Sequence, residues 1–217
     1  MHQYLGMGTA GVRLTVEEYH EDFDTRFWAR HGNVLELERQ QDFRQPGSES
    51  WCAFDRGDCD SALHILQGQR KDLLAQHERQ RQLGFETRRV RVAQRPVTPA
   101  LWWELHSLRV QADCGKRVHI VGVDQVAPYE SIVPLPEIVV IGTSVVYQVL
   151  YDSDGAPAGA IRSSDRDEVR HWSRIISDLF ADGEPVSTFL AREINDMPPP
   201  HTLDGLTPRA APLAGRS

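Results

Sequence analysis

The feature that most constrains the fold is a strand–helix–strand pattern between residues 85 and 123. Residues 85–93 alternate charged and apolar side chains, which is typical of a β-strand. Thr98 and Pro99 begin a helix, because threonine caps the first turn and proline at the first helical position loses no hydrogen bond. This helix is predicted to end before Gly115, and a second strand follows at residues 116–123. The pattern therefore predicts a βαβ unit with parallel strands.

Further helices and strands precede and follow this unit. The spacing of Tyr19, Phe23, Phe27 and Trp28 predicts an amphipathic helix over residues 16–31, and a short strand follows at residues 33–40. A polar loop at residues 42–58 precedes one helix over residues 60–83, in which Gly68 is a weak point. An antiparallel meander then begins at residue 137, and a closing helix is predicted at residues 164–183.

These elements predict an α/β fold with a mixed β-sheet and flanking helices, in which the βαβ unit precedes an antiparallel meander and a closing helix. The length of 217 residues favours a single domain, which we place at residues 15–194. We expect a flexible N-terminus at residues 1–14 and a disordered tail, rich in proline, alanine and glycine, at residues 195–217. Sparse cysteines and the lack of a long apolar run favour a cytoplasmic protein without membrane contact.

Basic residues are concentrated in one part of a chain whose formal net charge is −7. Residues 69–95 carry eight basic and three acidic side chains, whereas acidic side chains are in excess over residues 15–60 and 124–196. Non-specific binding to a DNA duplex depends on many phosphate contacts, which the two acidic flanks would oppose. We therefore expect no direct binding to duplex DNA, although a local site for a small anion is compatible with this pattern.

The arginines of the strand at residues 85–93 are candidate site residues. In extended structure Arg89 and Arg91 lie on one face, and Arg88 lies on the other. A strand inside a βαβ unit tends to be buried on both faces. Buried guanidinium groups need carboxylate partners or an anion.

Two interpretations of these arginines are open. In the first, an arginine forms a structural ion pair with Glu104 on the following helix. In the second, Arg89 and Arg91 donate to a small anion or a nucleobase, and Trp103 forms a stacking wall.

Other patterns that carry chemistry are weak or missing. The spacing of Cys52, Cys59 and His64 matches no common zinc module, so we interpret these cysteines as small apolar side chains. The sequence contains no G-x-S-x-G, G-x-G-x-x-G or P-loop motif. We therefore expect no metal and no cofactor, and we assign no catalytic residue.

The segment Arg-Arg-Val-Arg-Val at residues 88–92, the following proline and threonine turn and the Leu-Trp-Trp-Glu-Leu helix resemble an uncharacterised domain family of actinobacteria. The segments "FWARHGNVLELERQQDF" and "YDSDGAPAG" are also similar to that family, and the similarity covers residues 16–180. Its members are commonly encoded beside small helix-turn-helix regulators. The resemblance implies a regulatory context and such a regulator as a partner.

A more distant similarity is to one half of a phospholipase-D-like domain. That superfamily acts through a His-x-Lys pair, whereas the corresponding strand here, "PEIVVIGTSVVYQV", contains neither histidine nor lysine. The resemblance therefore implies a degenerate site, in which a phosphate-shaped pocket could survive without the catalytic groups.

Taken together, the sequence favours a non-catalytic regulatory or ligand-sensing domain that binds a small anionic molecule or a helix-turn-helix regulator. The alternative is an enzyme that processes a phosphodiester or a nucleotide. The lack of a recognisable nucleophile–base pattern favours the first function.

Overall fold

The computed structural model describes residues 11–29, 32–130 and 133–200. The strands are β1 (Val12–Leu14), β2 (Val34–Glu38), β3 (Thr87–Ala93), β4 (Arg117–Gly122), β5 (Glu137–Ile141), β6 (Val145–Tyr151), β7 (Pro157–Ser163) and β8 (Glu184–Pro185). The helices are α1 (Val16–Ala29), α2 (Glu49–Asp55), α3 (Cys59–Gly68), α4 (Arg70–Gln82), α5 (Pro99–Asp113), α6 (Val123–Val126), α7 (Arg166–Asp182) and α8 (Val186–Glu193). The predicted mixed α/β fold is confirmed.

All of these strands belong to one sheet, in the order β1-β7-β6-β5-β2-β3-β4-β8. β3 and β4 are parallel and are connected through α5, so the predicted βαβ unit is confirmed. β2 is also parallel to β3, and the connection between them runs through α2, α3 and α4. β5, β6, β7 and β1 continue the sheet in antiparallel pairs, as the predicted meander requires.

Helices cover the two faces of the sheet differently. α7 packs across the centre of one face, where Trp172 and Leu179 join a core cluster with Val90 and Val92. The opposite face is shared, because α1 packs over the β6–β7 side and α5 packs over β4. Since side chains alternate along a strand, the residues of β2 and β3 that face the space between α1 and α5 are Glu36, Glu38, Arg89 and Arg91.

Local capping explains where α5 begins. The Thr98 hydroxyl accepts a hydrogen bond from the Leu101 amide at 3.2 Å, and Pro99 occupies the first helical turn. Both features were predicted from the sequence, because each depends only on residues close together in the chain.

The predicted single helix over residues 60–83 is wrong. The chain instead forms α3 and α4, which separate at Gly68 and Gln69. Gly68 is the last residue of α3, which agrees with the tendency of glycine to weaken a helix.

The predicted polar loop at residues 42–58 contains the short helix α2. The Ser48 hydroxyl accepts from the Trp51 amide at 3.2 Å and caps it. Trp51 and Phe54 on this helix are buried, and this packing stabilises a helix too short to persist alone.

Val12–Leu14, which fall within the predicted flexible N-terminus, pair with β7 as an edge strand. Residues 1–10 and most of the predicted disordered tail at residues 195–217 lie outside the described residues. Within the described part of the chain, no helix has both the length and the apolar character needed to cross a bilayer.

Attachment of β1 should depend on Gly159, whose φ is +104°. A Cβ atom there would lie 2.1 Å from the carbonyl oxygen of Leu14, so Gly159→Ala must displace β1. The backbone conformation alone disfavours alanine by about 1–3 kcal/mol. We expect a lower free energy of unfolding in urea, together with faster hydrogen exchange at the amides of β1.

Gly47→Ala is the matched control, since a Cβ atom at Gly47 would meet no atom within 4 Å. We expect this control to change the free energy of unfolding by less than about 0.5 kcal/mol. Equal effects of the two substitutions would contradict the proposed close approach of β1.

Candidate functional site

A cluster of opposite charges lies across the parallel strands β2 and β3. Their register pairs Glu36 with Arg89 and Glu38 with Arg91. All four side chains face the space between α1 and α5, and neighbouring side chains of opposite charge on one face attract each other. The alternation of charge in both strands is therefore a consequence of one shared, buried polar surface.

Arg91 forms the structural pair that the sequence predicts. Its Nε donates to Glu104 Oε2 at 2.7 Å, and only 1% of Arg91 is exposed. The remaining guanidinium nitrogens donate to the backbone carbonyls of Val92 and Gln40. Protein acceptors thus surround Arg91, and its role is to hold α5 on the sheet. Anion binding by Arg91 stays a prediction, and it would require one of these acceptors to leave.

Arg89 has a different environment. Its Nε donates to Glu36 Oε2 at 2.5 Å, and its Nη1 lies 3.2 Å from Glu38 Oε1. Burial disfavours the charged guanidinium, but the two glutamates outweigh this effect and raise the pKa of Arg89. Glu104, the partner of Arg91, does not contact Arg89 through any hydrogen bond among the described residues.

Lys116 completes this part of the cluster, and the sequence did not indicate it. Its Nζ lies 2.8 Å from Glu36 Oε2, the same oxygen that accepts from Arg89. Burial would raise the pKa of Glu36, but Arg89 and Lys116 outweigh burial and lower that pKa to about 2. Glu36 is therefore ionised at all physiological pH values. Only a weak signal in the sequence points to Lys116 as a site residue: it is one of two lysines in the chain, and it precedes a strand.

Trp103 does not lie beside these charges. Its Nε1 donates to Ser50 Oγ at 2.9 Å, and its ring meets the edge of Trp51 with centroids 5.1 Å apart. Both tryptophans belong to the core cluster between α2, α3 and α5. The structure therefore places Trp103 in this core, apart from the cavity that Arg89 lines.

A cavity of about 340 Å³ opens between α1, α4 and the sheet. Its base is the ion cluster of Glu36, Arg89 and Lys116. Phe23, Phe27 and Trp28 of α1 form an apolar wall, and α4 contributes the opposite side. The volume lies within the range of small-molecule sites, which are typically about 300–1,000 Å³.

Unused hydrogen-bond donors face this cavity. Gln80 of α4 is only 7% exposed, and its Oε1 accepts from the Thr87 hydroxyl at 3.3 Å. No described residue accepts a hydrogen bond from its Nε2, but this atom is not one of the fully buried polar atoms that lack a partner, so water reaches it. The three hydrogens of the half-buried Lys116 ammonium meet a single described acceptor, Glu36. Two side chains that line the cavity therefore have donors available to a ligand.

A second part of the cluster concentrates carboxyl groups. The pKa of one arginine, Arg91, is raised by the charges of Glu104, Glu38 and Glu137. Burial raises the pKa of Glu104 to about 8, because the pairing with Arg91 is opposed by Glu38. Burial also raises the pKa of Glu137, whose Oε2 accepts from the Tyr151 hydroxyl. Burial thus shifts these carboxyl groups towards their protonated forms.

The raised pKa of Glu104 makes stability depend on pH. The folded protein keeps the proton on Glu104 up to about pH 8, whereas an unfolded glutamate loses it near the ordinary pKa of 4.5. Folding therefore gains stability below pH 4.5, and this gain is lost as the pH rises through 8. We expect the melting temperature to fall between pH 7 and pH 9, with a slope of about 1 kcal/mol per pH unit below pH 8.

The test is Glu104→Gln, which keeps the shape of the side chain but removes its titration. The melting temperature of this variant should vary less between pH 7 and pH 9 than that of the unchanged protein. Glu78→Gln is the control, because Glu78 is exposed on α4. Parallel pH profiles for all three proteins would contradict a proton on Glu104.

Other sequence candidates remain apart from the cavity base. Cys52 Sγ contacts the carbonyl oxygen of Pro46 at 3.4 Å, and Cys59 is buried in the core cluster of α2, α3 and α5. In the part of the chain that the structure describes, no three histidine, cysteine, aspartate or glutamate side chains are grouped to hold a metal ion.

Comparison with known protein families gives one match, to a domain of unknown function (DUF6879), over residues 21–191. A search of curated proteins found no match. The matched range runs from α1 to α8 and includes both the ion cluster and the cavity. The chain therefore belongs to the DUF6879 family of domains of unknown function.

Proposed function

We propose that this chain is a non-catalytic ligand-sensing domain that binds a small anionic molecule in the cavity between α1, α4 and the sheet. The observation that carries the proposal is the pair of spare donors on Lys116 and Gln80 inside a cavity of about 340 Å³. A ligand with acceptor oxygens would accept hydrogen bonds from both side chains.

The charge of the cavity base also favours an anion. Arg89 and Lys116 are cationic and share one carboxylate, Glu36, so the base carries a formal charge of +1. Glu38 contacts Arg89 but does not line this cavity. Asp24 lines the cavity as an exposed residue, where water screens its charge. A bound anion would neutralise the base in a partly desolvated place, where charge matching matters most.

The arrangement of the ionisable groups favours binding over catalysis. Glu36 is held ionised between two cations, and it cannot act as a proton acceptor near neutral pH. Burial and the neighbouring Arg89 lower the pKa of Lys116, and contact with Glu36 opposes this change. These groups neutralise each other and leave hydrogen-bond donors for a ligand.

The position of α1 supports a regulatory role. This helix forms the apolar wall of the cavity and carries an exposed outer surface that a partner protein could contact. The resemblance to the actinobacterial domains supports the proposal that this partner is a helix-turn-helix regulator.

Lys116→Met should weaken anion binding by about tenfold or more, since a hydrogen bond from a charged donor contributes about 1.5–3 kcal/mol. Benzoate and phenyl phosphate are suitable probes, because they combine one ring with a carboxylate or a phosphate. Binding can be followed by NMR with ¹³C-labelled lysine, because the chain has only Lys71 and Lys116. We expect the Lys116 signal to shift on titration and the Lys71 signal to stay in place.

Lys71→Met is the matched control, because it removes the same charge from an exposed position outside the cavity. Equal affinities of the two variants for both probes would contradict the proposed site. Hydrolysis of bis(4-nitrophenyl) phosphate by the unchanged protein, abolished by Lys116→Met, would instead support a phosphodiester-processing enzyme.

A further inference from the structure

We propose that α4 is a lid over the cavity, which detaches from α1 and the sheet while the rest of the domain stays folded. The role of this movement as a gate for a ligand rests on the proposed function, whereas the movement itself does not. Three features of α4 carry the inference: the polar side that it turns inward, the glycines at its ends and its contact with α1.

The inward side of α4 is mostly polar. The residues of this helix that line the cavity are Leu73, Gln76, His77 and Gln80. Their spacing is that of the side which a helix normally buries with apolar residues. Here only Leu73 is apolar, and Gln80 is the only buried residue of α4, a helix that the structure describes in full. Because burial of apolar surface is what mainly holds a helix in place, α4 is attached more weakly than α5 or α7.

Glycines lie close to both ends of α4. Gly68 ends α3, and the single residue Gln69 separates it from the start of α4. Gly84 follows α4 with a φ of +72°, and a Cβ atom at either glycine would meet no atom within 4 Å. Since glycine adopts a wide range of backbone angles, these two positions can absorb a movement of α4 without displacing α3 or β3.

A cation–π contact joins α4 to α1 across the cavity. The guanidinium carbon of Arg79 lies 4.0 Å from the centre of the Trp28 ring, which belongs to the opposite wall. Arg79 is exposed and Trp28 is half-buried. Contacts of this kind are attractive but weak at exposed positions. Arg79 therefore holds the lid closed with a contact that can break while the domain remains folded.

Cys114 lies beneath α4 and reports its opening. It is 3% exposed and lines the cavity, and its Sγ lies 3.7 Å from the carbonyl oxygen of Arg70, the first residue of α4. Cys59 is also buried, but it lies at the start of α3 and does not line the cavity. Detachment of α4 exposes the thiol of Cys114 and leaves that of Cys59 covered.

The experiment measures the rate at which a bulky maleimide labels each cysteine of the folded full chain, followed by mass spectrometry of its peptides. We expect the rate at Cys114 to change little with urea below the unfolding transition, because opening of the lid exposes far less surface than unfolding does. Arg79→Gln should raise this rate about twofold to fivefold, the factor expected for loss of one exposed cation–π contact. The rate at Cys59 should not change.

Arg81→Gln is the matched control, because it removes the same charge from α4 at an exposed residue that pairs only with Glu78 of the same helix among the described residues. Equal rates at Cys114 in the two variants, or a urea dependence equal to that of global unfolding, would overturn the lid and leave the proposed anion site standing. A rise at both Cys114 and Cys59 in Arg79→Gln would show general destabilisation and would also overturn it. The expected labelling without binding of benzoate or phenyl phosphate would support the lid and overturn the proposed function.

Discussion

The fold depends on the pairing of charges across β2 and β3, in the middle of the sheet. An isolated charge in a desolvated place costs several kcal/mol, so Glu36 and Arg89 are stable there only together. Their pairing also fixes the register of the two strands. A shift by one residue would turn the carboxylates and guanidinium groups towards the apolar surface of α7.

This pairing determines what the helices above it can do. α1 and α5 pack on the same face but on different strands, and the polar surface of β2 and β3 fills the space between them. On the side of α5 this space is closed, because Glu104 reaches Arg91. On the side of α1 and α4 it stays open as the cavity. The two arginines of one strand face therefore have different roles: Arg91 holds a helix, and Arg89 forms part of a base with unused neighbouring donors.

The sequence predicted those contacts that depend on short chain separation. Thr98 and Pro99 marked the start of α5, and Glu104 on that helix was close enough to be assigned to an arginine of the preceding strand. Lys116 and Gln80 could not be assigned in this way. Lys116 reaches Glu36 because β2 and β4 both pair with β3 in parallel, and Gln80 of α4 lines the cavity together with residues of α1 and the sheet.

The sequence by itself determined the mixed α/β class and the βαβ unit, because periodicity and capping act between neighbouring residues. It named Glu104 as a possible partner of an arginine, and the structure assigned that arginine as Arg91. Only the tertiary structure decided that Trp103 belongs to the core and that Phe23 and Trp28 face the cavity instead. All three are aromatic side chains on helices. Their surroundings differ because the order of strands in the sheet places α1 above Arg89 and turns Trp103 towards α2.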